Sequence, residues 1–317
     1  MSLDSNPAPA HEPTDFSGLW IPLVTPFDAT GAVDHAALTR LVSGLKPHGM
    51  RGFVACGSTG EAAALDHDEQ LAVLRTVIDA AAGIPVVMGL SGYHLADTLT
   101  WVRELAAYPL RGLLVPAPHY VRPAQAGLMQ WFERIADAAA VPVMVYDVPA
   151  RTGVALATAT LLALAAHPRI RALKDCAGDA AKTQALIDDG RLQVLAGNDD
   201  EMFAILAAGG AGAIAMSAHV CTAAFARLVR GLRNGQLEQA RRVWRGLHPV
   251  VAAAFAEPNP SVMKGALAAQ GQLRNQLRLP MTRASDAAVQ VLLDAINRVA
   301  ASACQKSAGA RLDQENP

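Results

Sequence analysis

The side chain with the most distinctive chemistry in this chain is Lys174. Of 27 basic residues only five are lysines (46, 174, 182, 264 and 306), and only Lys174 falls inside a strand-like run, Ile170–Asp175. His167-Pro168 and Ala177-Gly178 bracket that run with turn signals. An ammonium is costly to bury, so its pKa is expected to fall toward neutrality and leave a nucleophilic amine. The plainer reading is a salt-bridged lysine at a strand end. Tyr146 closes the preceding strand-like run, 142–147, and Gly57-Ser58-Thr59-Gly60-Glu61 follows the run 52–56. A phenol beside an amine can shuttle protons during imine formation. Two hydroxyls and successive N–H groups at a helix start can hold a carboxylate. Amine, phenol and anion nest together suit a 2-oxo acid, whose carboxylate is held while its ketone is attacked. Taken singly, Tyr146 reads equally as a core cap, and Gly57–Glu61 as a tight turn.

These groups meet only if the fold brings strand ends together. Apolar runs without polar alternation predict strands buried on both faces at 19–24, 52–56, 85–90, 111–116, 142–147, 170–174, 192–196 and 212–217. Helical patterns follow each, at 34–48, 67–82, 94–107, 124–139, 156–166, 180–188, 199–208 and 222–233. Eight such units over residues 18–234 average about 27 residues, near the roughly 30 of a βαβ repeat. The expected fold is a closed (β/α)8 TIM barrel with a C-terminal helical extension. An open doubly wound sheet would bring a G-x-G-x-x-G turn after the first strand, and none is present. The expected organisation is a disordered tail at 1–14, the barrel at 15–234, a helical domain at 235–303 and a second disordered tail at 304–317.

Barrel chemistry gathers at the carboxyl ends of the strands. Those ends are Thr25, Ser58 and Thr59, His119 and Tyr120, Tyr146, Lys174, Asn198 and Asp199, and Ser217. Strands five and six are neighbours about 4.8 Å apart in such a barrel, which sets Tyr146 beside Lys174.

Composition removes several function classes. A net charge of −1 gives no polybasic face for nucleic acid. No apolar run reaches the roughly 18 residues of a membrane span. Met-Ser-Leu-Asp at the start carries neither the basic nor the apolar region of a signal peptide, so a cytoplasmic location is expected. Cys56, Cys176, Cys221 and Cys304 are far apart, which suits free thiols in a reducing compartment. Nine histidines form no H-x-x-x-H or H-E-x-x-H pattern, so no metal is expected. Asn198-Asp199-Asp200-Glu201 reads as acids capping the seventh helix rather than a hard-metal site.

Four motifs in order carry a resemblance. They are Leu23-Val24-Thr25-Pro26-Phe27, the Gly57–Glu61 turn, Tyr146-Asp147-Val148-Pro149-Ala150-Arg151-Thr152-Gly153, and Lys174 near the end of the sixth strand. From about Phe16 to Met281 the chain resembles the dihydrodipicolinate synthase/N-acetylneuraminate lyase family of Schiff-base aldolases. The resemblance implies a class I lyase with no cofactor beyond a pyruvate imine on Lys174, with Tyr146 as proton relay. Ser58 and Thr59 would hold the pyruvate carboxylate, with Ser58 joining the relay. Tyr120 would complete the relay from a neighbouring subunit, implying a dimer and commonly a dimer of dimers. The backbone at Gly197 and Ile214 would line the pocket.

Within the family, Arg151 matches the arginine that holds the carboxylate of aspartate semialdehyde in the synthases, a task suited to a bidentate guanidinium. Glu257-Pro258-Asn259-Pro260, Lys264 and Leu277-Arg278-Leu279-Pro280-Met281 also resemble the synthase subgroup. The expected reaction is condensation of pyruvate with aspartate semialdehyde to 4-hydroxy-tetrahydrodipicolinate, in lysine synthesis. Alternatives are aldolases or dehydratases acting on 4-hydroxy-2-oxoglutarate, 2-keto-3-deoxy sugar acids, N-acetylneuraminate or keto-deoxy-glucarate, and a non-catalytic 2-oxo-acid binder. Lys264 is the rival imine former, expected on a peripheral helix. Asp147 stands where asparagine is usual and is expected to add negative charge beside Tyr146. Cys176 reads as a core thiol or as a residue tuning the pocket. Tyr93, Gln70, His119, Ala62 and Asp97 depart from the family's lysine feedback site, so lysine is not expected to inhibit.

Overall fold

The structure, a computed structural model, describes residues 14–312. Eight apolar runs form parallel strands: β1 Gly18–Pro22, β2 Gly52–Ala55, β3 Val86–Gly89, β4 Gly112–Pro116, β5 Val143–Asp147, β6 Ile170–Asp175, β7 Gln193–Ala196 and β8 Gly212–Ile214. They pair in sequence order, and β8 closes on β1 through Gly18–Gly212 to Trp20–Ile214. The expected (β/α)8 barrel is the fold. Helices α1 His35–Leu45, α2 His67–Ala81, α3 Leu95–Leu105, α4 Gln125–Ala138, α5 Pro149–Thr152, α6 Thr158–Leu164, α7 Ala180–Asp189, α8 Met202–Ala207 and α9 Thr222–Arg233 surround it.

Local sequence explains these elements. Asp34 accepts from the Ala37 N–H and starts α1, whose Ala37, Leu38, Leu41, Val42 and Leu45 form the buried face read from the spacing. Asp66 and Glu69 make a reciprocal capping box at the start of α2. The short α5 is absent from the sequence reading; Pro149, with its preset φ, begins it. Strand β8 is shorter than expected, because the chain turns into a 3-10 helix at Met216–His219.

Two cores divide the packing. Trp20, Val54, Val87, Leu114, Met144, Ala172, Leu195 and Ile214 fill the barrel, with Phe16 among them. Gly52 leaves room for the Trp20 ring, since any Cβ there would overlap it. A larger core lies between strands and helices.

One irregularity aims β6. Val143 pairs with Ile170, but Met144 pairs with Ala172, so β6 carries an extra residue at Arg171. Ile170 belongs to the outer core while Ala172 faces the lumen, which regular alternation forbids for residues two apart. The bulge reverses the parity, putting Ala172 and Lys174 on the inner side.

After the barrel come α10 Leu237–Ala254, α11 Ser261–Ala269 and α12 Asp286–Leu312. Helix α10 packs on α9 and α12, and α11 on α12. The tail expected at 304–317 begins as helix instead, since α12 continues to Leu312 through an alanine-rich stretch of high helix propensity. Residues 313–317, and all but the last residue of the tail expected at 1–14, lie outside the described residues.

Candidate active site

Strands β5 and β6 put Tyr146 and Lys174 in direct register. Lys174 is 5% exposed, and its Nζ lies 4.3 Å from the centre of the Tyr146 ring. No carboxylate lies within 4.0 Å of that nitrogen among the described residues. The salt-bridged reading therefore fails.

The direction of the Lys174 pKa corrects the sequence reading. Burial lowers it, but interaction with Tyr146, Cys176 and Asp199 raises it, and the net lies above the ordinary lysine value. The expected fall counted only desolvation, whereas this pocket is lined by groups that can balance a cation. Lys174 therefore rests as an ammonium and must pass its proton on before it attacks.

The Gly57–Glu61 turn follows β2, at the same carboxyl end of the barrel as this pair. Ser58–Gly60 is one 3-10 turn, with the Gly60 and Glu61 N–H groups bonded back to Gly57 and Ser58. The Ser58 and Thr59 N–H groups have no protein partner among the described residues, as befits the start of a helical turn. The Thr25 hydroxyl donates to the Gly60 carbonyl at 2.7 Å and ties the turn to the end of β1. Ser58 and Thr59 thus present two N–H groups without protein partners and two hydroxyls, the kind of donors a carboxylate takes.

The match to known proteins spans this whole architecture. A model of the dihydrodipicolinate synthetase family fits residues 15–299. This chain belongs to that family. The 4-hydroxy-tetrahydrodipicolinate synthase of Haloarcula marismortui is 35% identical over 285 residues, 89% of this chain and 93% of the relative. That of Trichlorobacter lovleyi is 36% identical, covering 89% of this chain and 97% of its own length. Among solved structures, the dihydrodipicolinate synthase of Thermotoga maritima superposes with a TM-score of 0.87 at 30% identity, covering 90% of this chain and 99% of that one.

Other residues singled out from the sequence fall at the same end. Ile214 is buried in the lumen core at the end of β8. Gly197 follows β7, and a Cβ there would come within 2.7 Å of Lys174 Cγ and 2.9 Å of its Cε, besides striking the Cys176 thiol. Only glycine lets the lysine stem and the thiol pack there. Cys176 is thus a pocket thiol, and burial pushes its pKa up to about 12, so it stays neutral. Arg151 on α5 is exposed and has no protein partner among the described residues. Tyr120 is not buried at this site: it is 88% exposed and held at φ +75°.

Three expectations are corrected. Asp147 faces outward, because neighbours on a strand point to opposite sides. It pairs with Lys182 of α7 at 2.6 Å and accepts from the Leu156 N–H, so it adds no charge to the pocket. Lys264 is not peripheral: it is 0% exposed, 2.5 Å from Glu61 and 4.2 Å from the centre of the Phe27 ring. Asp199, Asp200 and Glu201 do open the helical turn that leads into α8, but the Asp199 side chain turns elsewhere; its oxygens accept from the Met216 and Ser217 N–H groups at 3.3 and 2.6 Å, joining the ends of β7 and β8. Burial raises its carboxyl to about 6, against those donors and the Lys174 charge. Among the described residues, no group of three or more His, Cys, Asp or Glu could hold a metal. Sequence reasoning also passed over Asn259, whose Nδ2 donates to the Thr59 hydroxyl at 3.0 Å. Its signal in the sequence is the motif Glu257–Pro260.

Proposed function

We propose that this chain is a 4-hydroxy-tetrahydrodipicolinate synthase, joining pyruvate and aspartate semialdehyde without a bound cofactor. The observation that carries the reading is a buried lysine without a carboxylate partner, in register with a tyrosine, at the end of the barrel where the Gly57–Glu61 turn also follows its strand. Ser58 and Thr59 hold the pyruvate carboxylate. The Lys174 amine attacks the ketone carbon and water leaves, giving an imine. Tyr146 carries protons to and from these atoms, with Ser58 next in the relay. Loss of a methyl proton gives the enamine, whose terminal carbon attacks the aldehyde. The amino group of the second substrate then attacks the imine carbon, closing the ring and releasing Lys174. Arg151 holds the second carboxylate at the open mouth. Backbone at Gly197 and Ile214 walls the pocket.

Tyr120 fits a relay completed across a subunit boundary, since a tyrosine so exposed and in left-handed backbone is aimed away from its own protomer. We place the enzyme in the cytoplasm as a dimer of dimers, with the barrel at 15–234 and the helical domain at 235–312; among the described residues, no helix is long and apolar enough to cross a membrane.

The test is product formation from pyruvate with aspartate semialdehyde, set against other aldehydes and against cleavage of keto-deoxy sugar acids and N-acetylneuraminate. Aspartate semialdehyde should give the highest kcat/KM, and Arg151→Ala should lose about 10- to 100-fold of it while still forming the pyruvate imine. A higher kcat/KM for an uncharged aldehyde, or equal losses in both steps, contradicts the assignment.

A further inference from the structure

The carboxylate nest is braced from outside the barrel. Glu61, the last residue of its turn, is held at φ +52° and buried. Its two oxygens take Lys264 Nζ at 2.5 Å and the Arg278 N–H at 3.1 Å. Arg278 in turn grips both oxygens of Glu69 and the carbonyls of Gly31 and Ala64. Residues 259–278 therefore fix where the turn sits, and one of them, Asn259, touches the nest hydroxyl itself.

A hydroxyl that accepts a hydrogen bond has its own proton free to donate elsewhere. Asn259 Nδ2 donates to Thr59 Oγ1, so the Thr59 proton is directed away from the amide. Thr59 is buried, leaving few alternatives for that proton beyond the barrel mouth. The amide's other end has no part in this: Asn259 Oδ1 is buried without a partner among the described residues. An orphaned carbonyl costs stability, so this side chain is a poor choice for packing alone.

We infer that Asn259 is a positioning residue for substrate, setting the Thr59 hydroxyl as a donor to the carboxylate of the 2-oxo acid. This rests on the proposed role of Thr59. It makes the segment before α11 part of the first substrate's site, and assigns it no part in binding the aldehyde.

Three variants test this: Asn259→Asp, Asn259→Ala, and Asn259→Asp combined with Thr59→Val. Aspartate nearly preserves shape but accepts where asparagine donates, so it turns the Thr59 proton toward itself and adds charge near the nest. Asn259→Asp should raise the KM for pyruvate by about 10- to 100-fold and Asn259→Ala by about 3- to 10-fold, as expected for hydrogen bonds to a charged group. The KM for the aldehyde should change by less than about 3-fold, the range of a lost neutral contact. In the Thr59→Val background, the aspartate effect should shrink to what its charge alone exerts, because the hydroxyl it would redirect is gone. Pyruvate KM values that are alike for the Asp and Ala variants overturn the inference, as does a full aspartate effect without the Thr59 hydroxyl. Losses in both substrates' KM that follow the thermal midpoint also overturn it. Borohydride trapping of pyruvate on the unaltered protein separates the two levels: trapping with indifferent variants sinks only this inference, whereas no trapping sinks the proposed function too.

Discussion

Lys174 and Lys264 are both buried, yet they solve burial in opposite ways. Lys264 meets Glu61 at 2.5 Å, and Lys182, a third buried lysine, meets Asp147 at 2.6 Å. Each is a charge neutralised by a partner, which is how a protein keeps an ammonium from water. Lys174 has instead a tyrosine ring, a thiol and the more remote Asp199. Burial lowers the Lys264 pKa despite Glu61, while the surroundings of Lys174 raise its own. A carboxylate in contact would lock the amine in place; a phenol leaves it able to trade its proton. The difference separates a lysine held as half of an ion pair from one whose proton can move.

That contrast can be broken from either side. Lys174→Ala should lower kcat by at least about a thousandfold, as expected when a covalent nucleophile is removed, while the thermal midpoint holds or rises. A variant that keeps a tenth of its activity contradicts the assigned role. Lys264→Met and Lys182→Met should do the reverse, each costing about 3–5 kcal/mol of stability by stranding a buried carboxylate. Urea unfolding measures that loss, and Lys182→Met should leave KM values for both substrates near those of the parent. A stable Lys182→Met protein with no imine would make Lys182 part of the chemistry.

A smaller effect concerns Asp199 and His219, both buried near the ends of β7 and β8. Burial raises Asp199 from 3.8 to about 6, so between those values the folded protein holds a proton that the unfolded chain releases. Its contribution is present at low pH and is lost as pH rises through about 6. Burial lowers His219 from 6.5 to about 4, so the unfolded chain takes up a proton that the folded protein refuses. That contribution is lost as pH falls through the same window, and the two largely offset. Asp199→Asn removes one of them, so stability should fall by about 2–3 kcal/mol more steeply between pH 6 and 4. Urea midpoints at several pH values check the slope; an unchanged slope contradicts the buried carboxyl as described.

The least effect is expected from free lysine. The side chains where the family's feedback site would be are otherwise engaged. His67 bonds Glu104 at 2.9 Å and packs on Trp101, the Gln70 amide donates to the Ala62 and Leu65 carbonyls, and Tyr93 meets His119 edge-on. Millimolar lysine should leave the rate unchanged, and a saturable inhibition curve contradicts this.

Much of this arrangement is legible in the sequence. The barrel can be read because eight unalternating apolar runs allow few other folds, and Tyr146 meets Lys174 because strands adjacent in sequence are adjacent in space. What is not legible is anything that depends on side-chain direction or distant pairing. No local signal announces the extra residue at Arg171, yet that bulge turns Lys174 inward. Lys264 reads as peripheral because its partner Glu61 lies 203 residues away. Asp147 reads as a neighbour of Tyr146 because sequence adjacency conceals opposite faces.

The most direct test of the account is borohydride reduction of the protein with pyruvate, followed by peptide mapping. The account predicts one reduced pyruvyl adduct, on the peptide containing Lys174, forming faster as pH rises from about 6 to 9 because an ammonium must first deprotonate. An adduct on Lys264 or Lys182, or none, contradicts it.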